Sequence, residues 1–305
     1  MRDLISLSGP VRNALRDGAP VVALESTVIA HCLPHPDNLE AAAAMEDAVR
    51  QAGAVPATIA VLDGRIRIGL SEEDRAKLAD PDAAVAKLSR RDLAACLTLN
   101  GTGATTVSAT MICAHAAGIR VFATGGIGGV HRGAENSMDV SADLLELART
   151  PVLTVSSGAK SILDLPRTME VLETQGVPVL GYRTDRLPAF HSRDSGLPVD
   201  AALEGPQAAA RVARAHWALG LGGLMVCNPV PEEAAIPADE VAAWVDAALA
   251  AAEQDGIAGK EVTPYLLRHI ASVSGGRSLA ANKALLIDNA RVGGEIAVAL
   301  AEGVS

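Results

Sequence analysis

Aromatic residues are almost missing from this chain. Two phenylalanines, two tyrosines and two tryptophans are all that 305 residues hold, too few for the stacking platforms that bind single-stranded nucleic acid. Basic runs are scarce as well. Lys+Arg number 26 against 36 Asp+Glu, a formal charge of −10, which argues against nucleic-acid polymers and anionic membranes as partners. Cysteine occurs four times, at Cys32, Cys96, Cys113 and Cys227, with no Cys-x-x-Cys pair. Neither a zinc cage nor a disulfide framework is indicated. No apolar run approaches the roughly 20 residues that span a bilayer, and Met1 to Ser6 lack the apolar stretch of a signal peptide. A reducing cytoplasm is the expected setting. The core must then be built from Ala, Val, Leu and Ile, and the length suits one large α/β domain or two small ones.

The pattern along the chain alternates strand and helix. Apolar runs at 20–24, 58–62, 121–124, 152–155, 177–180 and 224–227 read as buried strands. Helical stretches are expected at 39–51, 105–117, 141–147, 207–219, 239–254, 263–273 and 278–301. A further helix is expected directly after Gly158. Asp63-Gly64 predicts a hairpin turn into an antiparallel strand at 65–69, and Ser71 to Asp74 resembles a capping box. Strands separated by helices imply a mostly parallel sheet covered on both faces. The irregular stretch 187–206 reads as a long active-site loop rather than a linker, so residues 1–305 are expected to form a single domain.

In such a sheet, ligands bind beyond the carboxyl ends of the strands. Four loops qualify: Glu25 to Thr27, Gly125 to Gly133, Ser156 to Lys160, and Asn228-Pro229. Glu25 closes a buried strand, where a carboxylate is either used chemically or caps a neighbouring helix. The glycines of Thr124 to Gly129 either cradle an anion or only permit tight turns. His131 and Arg132 form a basic pair beside that loop. Asp139 and Asp143 flank Ser141; one suits a metal ion and the other faces a helix N-terminus. Lys160 is expected on the first turn of a helix, where the dipole and burial would lower its pKa and free the amine for a Schiff base; the plain alternative is a solvated lysine. Lys87 to Asp92 is a basic cluster that either faces solvent or reaches an anionic substrate.

Several of these segments together resemble one family. Ala23 to Thr27, Lys87 to Asp92, Gly103 to Val107, Phe122 to Gly133, Asp139 to Asp143 and Ser157 to Ser161 occur in order. So do Asn228 to Pro231 and Ser278 to Asn282. The whole resembles the pseudouridine-5′-phosphate glycosidases over nearly its full length. That resemblance implies a three-layer α/β/α sandwich around a mostly parallel mixed sheet, a homotrimer, and one divalent metal per subunit, typically Mn2+. It implies reversible cleavage of the C1′–C5 bond of pseudouridine 5′-phosphate to uracil and ribose 5-phosphate. It implies Lys160 as the Schiff-base nucleophile, Glu25 as proton donor and Asp139 as metal ligand. Lys87, Val107, Ser141, Ala142 and Asp143 would line the substrate site, with His131 and Asn282 in the same pattern. Thr105 and Thr106 are further candidate donors to the phosphate. Cys32 and His35 stand where the pattern has glycine and tyrosine, and His191 where it has an aromatic. These departures bear on substrate contacts rather than reaction type. Two other functions fit parts of the sequence: a different Schiff-base lyase acting on sugar phosphates, and a nucleotide-binding protein without catalysis.

Overall fold

A computed structural model describes residues 4–257 and 262–303; Met1, Arg2 and Asp3 of the amino-terminal segment lie outside them. The chain forms a single α/β domain built on one mixed sheet. Its central strands are β2 (Val21–Glu25), β3 (Val55–Leu62), β7 (Val121–Ala123), β9 (Leu153–Ser156), β11 (Val179–Tyr182) and β13 (Leu224–Cys227). The main path is completed by β1 (Ile5–Leu7), β4 (Arg65–Ile68) and β12 (Ala201–Leu203), and runs β1-β4-β3-β2-β7-β9-β13-β11-β12. All pairings along it are parallel except β3 with β4, which is the hairpin expected at Asp63-Gly64.

Alternation along the strands builds two apolar layers. Val22 and Leu24 face one side with Val121, Ala123, Leu153, Val155, Leu224 and Val226. Val21 and Ala23 face the other with Phe122, Met225 and Cys227. The first layer is covered by α2 (Asp37–Gln51), α9 (Pro206–Ala218) and α12 (Arg277–Glu302). The second is covered by α1 (Gly9–Arg16), α5 (Val107–Ala116), α7 (Ala142–Arg149), α8 (Leu165–Thr174), α10 (Ala238–Gln254) and α11 (Val262–Val273). The result is the expected three-layer α/β/α sandwich. With so few aromatics, small side chains let helices approach closely. Gly293 and Gly294 of α12 sit where a Cβ would meet Ala123 on the sheet and Ala52 beyond α2.

Two features of the sheet position the site. After β2 the chain crosses to β3 on one side, and later enters β7 on the other. The carboxyl ends of β2 and β7 therefore form a topological switch point, where a crevice opens. In addition, β3 outruns β2. Its partner register with β2 ends at Glu25 opposite Ile59, and Ala60 and Val61 pair instead with β6 (Gly103–Thr105). Next to β6 lies β5 (Ala86–Leu88), with Lys87 opposite Ala104. This side extension carries Lys87 to the crevice.

The structure corrects three expectations. Gly103–Thr105 is a strand, so α5 begins at Val107 and not at 105. No helix follows Lys160 directly: Leu163–Asp164 pair antiparallel with Val130–His131, and α8 begins at Leu165, after Asp164 caps it. The stretch 187–206 includes β12 and packs behind the glycine loop instead of lining the crevice; Phe190 lies where a Cβ on Gly126 would strike its ring. The capping box at Ser71 and Asp74 is present on α3 (Glu72–Ala79).

Candidate active site

A cavity of about 440 Å³ opens at the switch point. Two larger ones, about 490 and 820 Å³, lie elsewhere. The first is walled by residues such as Met169, Val179 and Leu197, and the second by ion pairs that include Arg50–Glu46 and Lys77–Asp63. The 440 Å³ cavity alone among the three gathers the residues expected from the sequence. Glu25, Lys87 and Lys160 line it, with Thr106, Val107 and His131. Asp139, Ser141, Ala142 and Asp143 complete that set. Thr105 and Asn282 do not line it. Thr105 is fully buried beneath, donating from Oγ1 to Ile59 O at 2.7 Å and from its N–H to Ser26 Oγ at 2.9 Å; it fixes the turn after Glu25. Asn282 is buried on α12.

Glu25 is 6% exposed. One of its carboxylate oxygens accepts from the Thr27 hydroxyl and the other from the Thr124 hydroxyl. Neither donor is the backbone N–H of a helix, so Glu25 is not the helix cap that one of its two readings expected. Asp143 has a different task. Its oxygens accept the N–H of Ser108, in the first turn of α5, at 2.9 Å, and the N–H of Gly128 at 2.8 Å. One carboxylate thus caps a helix and pins the glycine loop. A Cβ at Gly128 would run into the side chains of Ser141 and Asp143, so the close approach requires glycine. Ser141 caps α7 by accepting the N–H of Asp143 at 3.2 Å. The first turns of α5 and α7 both open on the cavity, which favours an anion there.

Lys160 follows β9 with its N–H bonded to Ile127 O at 3.1 Å. The free amine expected from a helix dipole is not what this setting gives. Burial pulls the Lys160 amine down, but negative charge at Cys32, Glu25 and Asp143 more than offsets it, so its pKa lies above the ordinary lysine value. Burial also pushes the Cys32 thiol up. Lys87 moves the other way. Burial and the positive charge of Lys160 push its amine below the ordinary value. His131 is likewise held below its usual range by burial, against the pull of Asp139.

The basic cluster splits. Arg90 forms a two-point bond with the buried carboxylate of Glu146, at 2.6 and 2.8 Å, and is structural. Arg91 is exposed at the mouth. Asn228 lies outside the cavity, donating to Asp288 at 2.7 Å and to Asn289 at 3.1 Å. Sequence reasoning singled out none of Thr27, Thr124, His31 and Thr263, and marked Cys32 only as a departure from the family pattern. Thr27 and Thr124 stand directly beyond strand ends, and that position was the available signal. His31 and Cys32 ride on a π-helical turn, Val28–Cys32, that no simple periodicity reveals.

A metal ion would find few donors. Among the described residues no three of His, Cys, Asp and Glu gather into a metal cage. Asp139, beside His131 at the cavity wall, offers one hard oxygen. That set suits a mostly hydrated Mn2+ or Mg2+, and not Zn2+.

Fold and site define an α/β protein with an amine, a carboxyl group and two helix N-termini at the carboxyl edge of its sheet. Comparison with known proteins gives that class a family. The family model described as Indigoidine synthase A like protein matches residues 10–299. A pseudouridine-5′-phosphate glycosidase of Paracoccus denitrificans is 58% identical over 303 residues, covering 99% of this chain and 100% of that protein. One of Caldanaerobacter subterraneus is 52% identical, covering 98% of each. Among solved structures, the prealnumycin C-glycosynthase AlnA in complex with ribulose 5-phosphate superposes with a TM-score of 0.91 at 43% identity, covering 99% of this chain and 98% of that one. An indigoidine synthase A-like protein of Thermotoga maritima gives 0.88 at 37%, covering 98% and 97%. The chain belongs to the pseudouridine-5′-phosphate glycosidase family.

His191 supports the site from behind. It is 1% exposed, and its Nδ1 lies 3.3 Å from Oγ of Ser161, the neighbour of Lys160. Burial holds its pKa down at about 4, against about 6.5 in an unfolded chain. Between those values the unfolded chain binds the extra proton, so stability is complete above about pH 6.5 and is lost as pH falls towards 4. The loss should approach about 3 kcal/mol. Urea titrations across that window should show the fall in wild type and a much flatter profile in His191→Phe. Parallel profiles for the two proteins would contradict this.

Proposed function

We propose that this cavity cleaves the C1′–C5 bond of pseudouridine 5′-phosphate through a Schiff base on Lys160, releasing uracil and ribose 5-phosphate. The observation that carries the reading is the placement of Lys160 and Glu25 in one cavity walled by two helix N-termini. The names of the relatives and the sugar phosphate in the C-glycosynthase structure support the substrate class.

The chemistry needs an amine and an acid, and the resting pair supplies both after one proton moves. An ammonium on Lys160 and a carboxylate on Glu25 become a free amine and a carboxylic acid. The amine attacks C1′ of the ribose. The C1′–O4′ bond breaks, and O4′ takes the proton that the attacking nitrogen sheds. Glu25 then gives its proton to C5 of the base. The C1′–C5 electrons restore the C5–C6 double bond of uracil, while the nitrogen lone pair forms an iminium with C1′. Water adds to the iminium and frees ribose 5-phosphate. An ordinary glycosidase route through paired carboxylates would leave a carbon leaving group without this assistance.

The phosphate lies, in this reading, against Thr106, Val107, Ser141 and Ala142 at the first turns of α5 and α7, where backbone N–H groups and the helix dipoles favour it. Lys87 adds positive charge that offsets the −10 of the whole chain locally. Asp143 lines the same wall and also holds the glycine loop. Asp139 would hold the divalent ion, Mn2+ for preference, which when bound supplies positive charge next to an anionic substrate. A cytoplasmic homotrimer belongs to the same reading on the strength of the resemblance.

Borohydride added with ribose 5-phosphate should trap a covalent adduct, and peptide mapping should place it on Lys160. Lys160→Ala should lose both adduct and turnover. An adduct mapped to Lys87 would overturn the assignment of roles between the two lysines. For the metal, chelation should abolish uracil release and Mn2+ should restore it, with Asp139→Ala holding less metal by elemental analysis. Full activity after exhaustive chelation, with no metal detected, would contradict a metal requirement.

A further inference from the structure

The two hydroxyls on Glu25 have no place in the chemistry above, and their arrangement is specific. Thr27 Oγ1 donates to one carboxylate oxygen and Thr124 Oγ1 to the other. Both threonines are buried, at 3% and 0% exposure. They stand beyond β2 and β7, the two strands that bound the switch point. Each is anchored separately. The Thr124 N–H donates to Val155 O at 3.0 Å, and its carbonyl accepts from Asn289 Nδ2, fully buried on α12, at 2.8 Å. Thr27 follows Ser26, whose Oγ accepts the Thr105 N–H at 2.9 Å. A glutamate side chain is otherwise free to turn about its terminal bond. Two donors fixed beyond the ends of adjacent strands remove that freedom.

We propose that Thr27 and Thr124 are positioning residues for the carbon–carbon cleavage: together they fix the plane of the Glu25 carboxyl group, so that it meets uracil C5 at one angle. This rests on Glu25 as the proton donor. Glu25 acts twice: taking a proton from the Lys160 nitrogen tolerates a range of carboxyl orientations, whereas giving one to a ring carbon as the C–C bond breaks needs a single aim. The threonines should therefore matter to cleavage far more than to the steps before it.

The test compares Thr124→Val and Thr27→Val, which keep shape and delete the hydroxyl, with Thr124→Ser and Thr27→Ser, which keep it. Uracil release from pseudouridine 5′-phosphate should show kcat lowered about 10- to 100-fold in each valine variant, with KM within about threefold of wild type. The serine variants should recover most of the loss. Adduct formation with ribose 5-phosphate and borohydride needs Lys160 but no proton on C5, and should stay near the wild-type rate in all four. Valine variants that release uracil normally overturn the inference. So does a parallel loss of adduct formation and uracil release, which is what a merely disrupted site gives. Either valine variant reads the question alone if the other fails to fold. Glu25→Gln, run alongside, separates the two claims. Full turnover there overturns the proton-donor reading and this inference with it. An inactive Glu25→Gln beside unimpaired valine variants overturns this inference only.

Discussion

Two lysine amines and a glutamate share one small cavity, and the rest of the molecule is organised around keeping them together. Placed in a half-closed site, like charges repel and each ion loses water. The protein meets that cost with fixed partners. Against the pull of burial, the charge of Cys32, Glu25 and Asp143 makes Lys160 keep its proton more firmly than an ordinary lysine. Lys87, beside it, holds its proton less firmly. The neighbouring amines are thus driven apart in proton affinity, the usual sign that two groups of one type have different tasks.

That charge arrangement depends on strand ends meeting at the switch point. Glu25 and Thr124 arrive from adjacent parallel strands, Lys160 from the next one out, and Lys87 from the side extension of β5 and β6. Asp143 then binds the α5 terminus to the glycine loop through two backbone N–H groups. Asn289 bridges the loops after β7, β9 and β13 from the opposite layer, through Thr124, Ser157 and Asn228. Few of these contacts touch the cavity, yet they decide where its charged groups sit.

The central sheet was legible because parallel strands buried on both faces read as short continuous apolar runs. The elements that escaped were of two or three residues, such as β5, β6, β8 (Val130–His131) and β10 (Leu163–Asp164), too short for any period to show. The helix expected to begin at Lys160 is not there. Ser161 to Leu165 looks helical, but Leu163 and Asp164 pair with Val130 and His131, so the helix starts later and its dipole acts elsewhere. Whether the cluster from Lys87 to Asp92 faces solvent or an anionic substrate stayed open in sequence, because the partner of Arg90, Glu146, lies 56 positions away. Thr105 was a plausible donor in sequence and is an internal brace in the fold. Long-range pairings of this kind leave no local pattern to read.

Breaking a carbon–carbon bond, and not merely holding a nucleotide, is what the proposed function asks of this cavity. Mixing the protein and Mn2+ with pseudouridine 5′-phosphate, and following the products by ultraviolet absorbance and chromatography, tests it directly. The account predicts uracil and ribose 5-phosphate in equal amounts, with many turnovers per active site. Intact nucleotide bound without turnover, or a small carbonyl product in place of uracil, would contradict it.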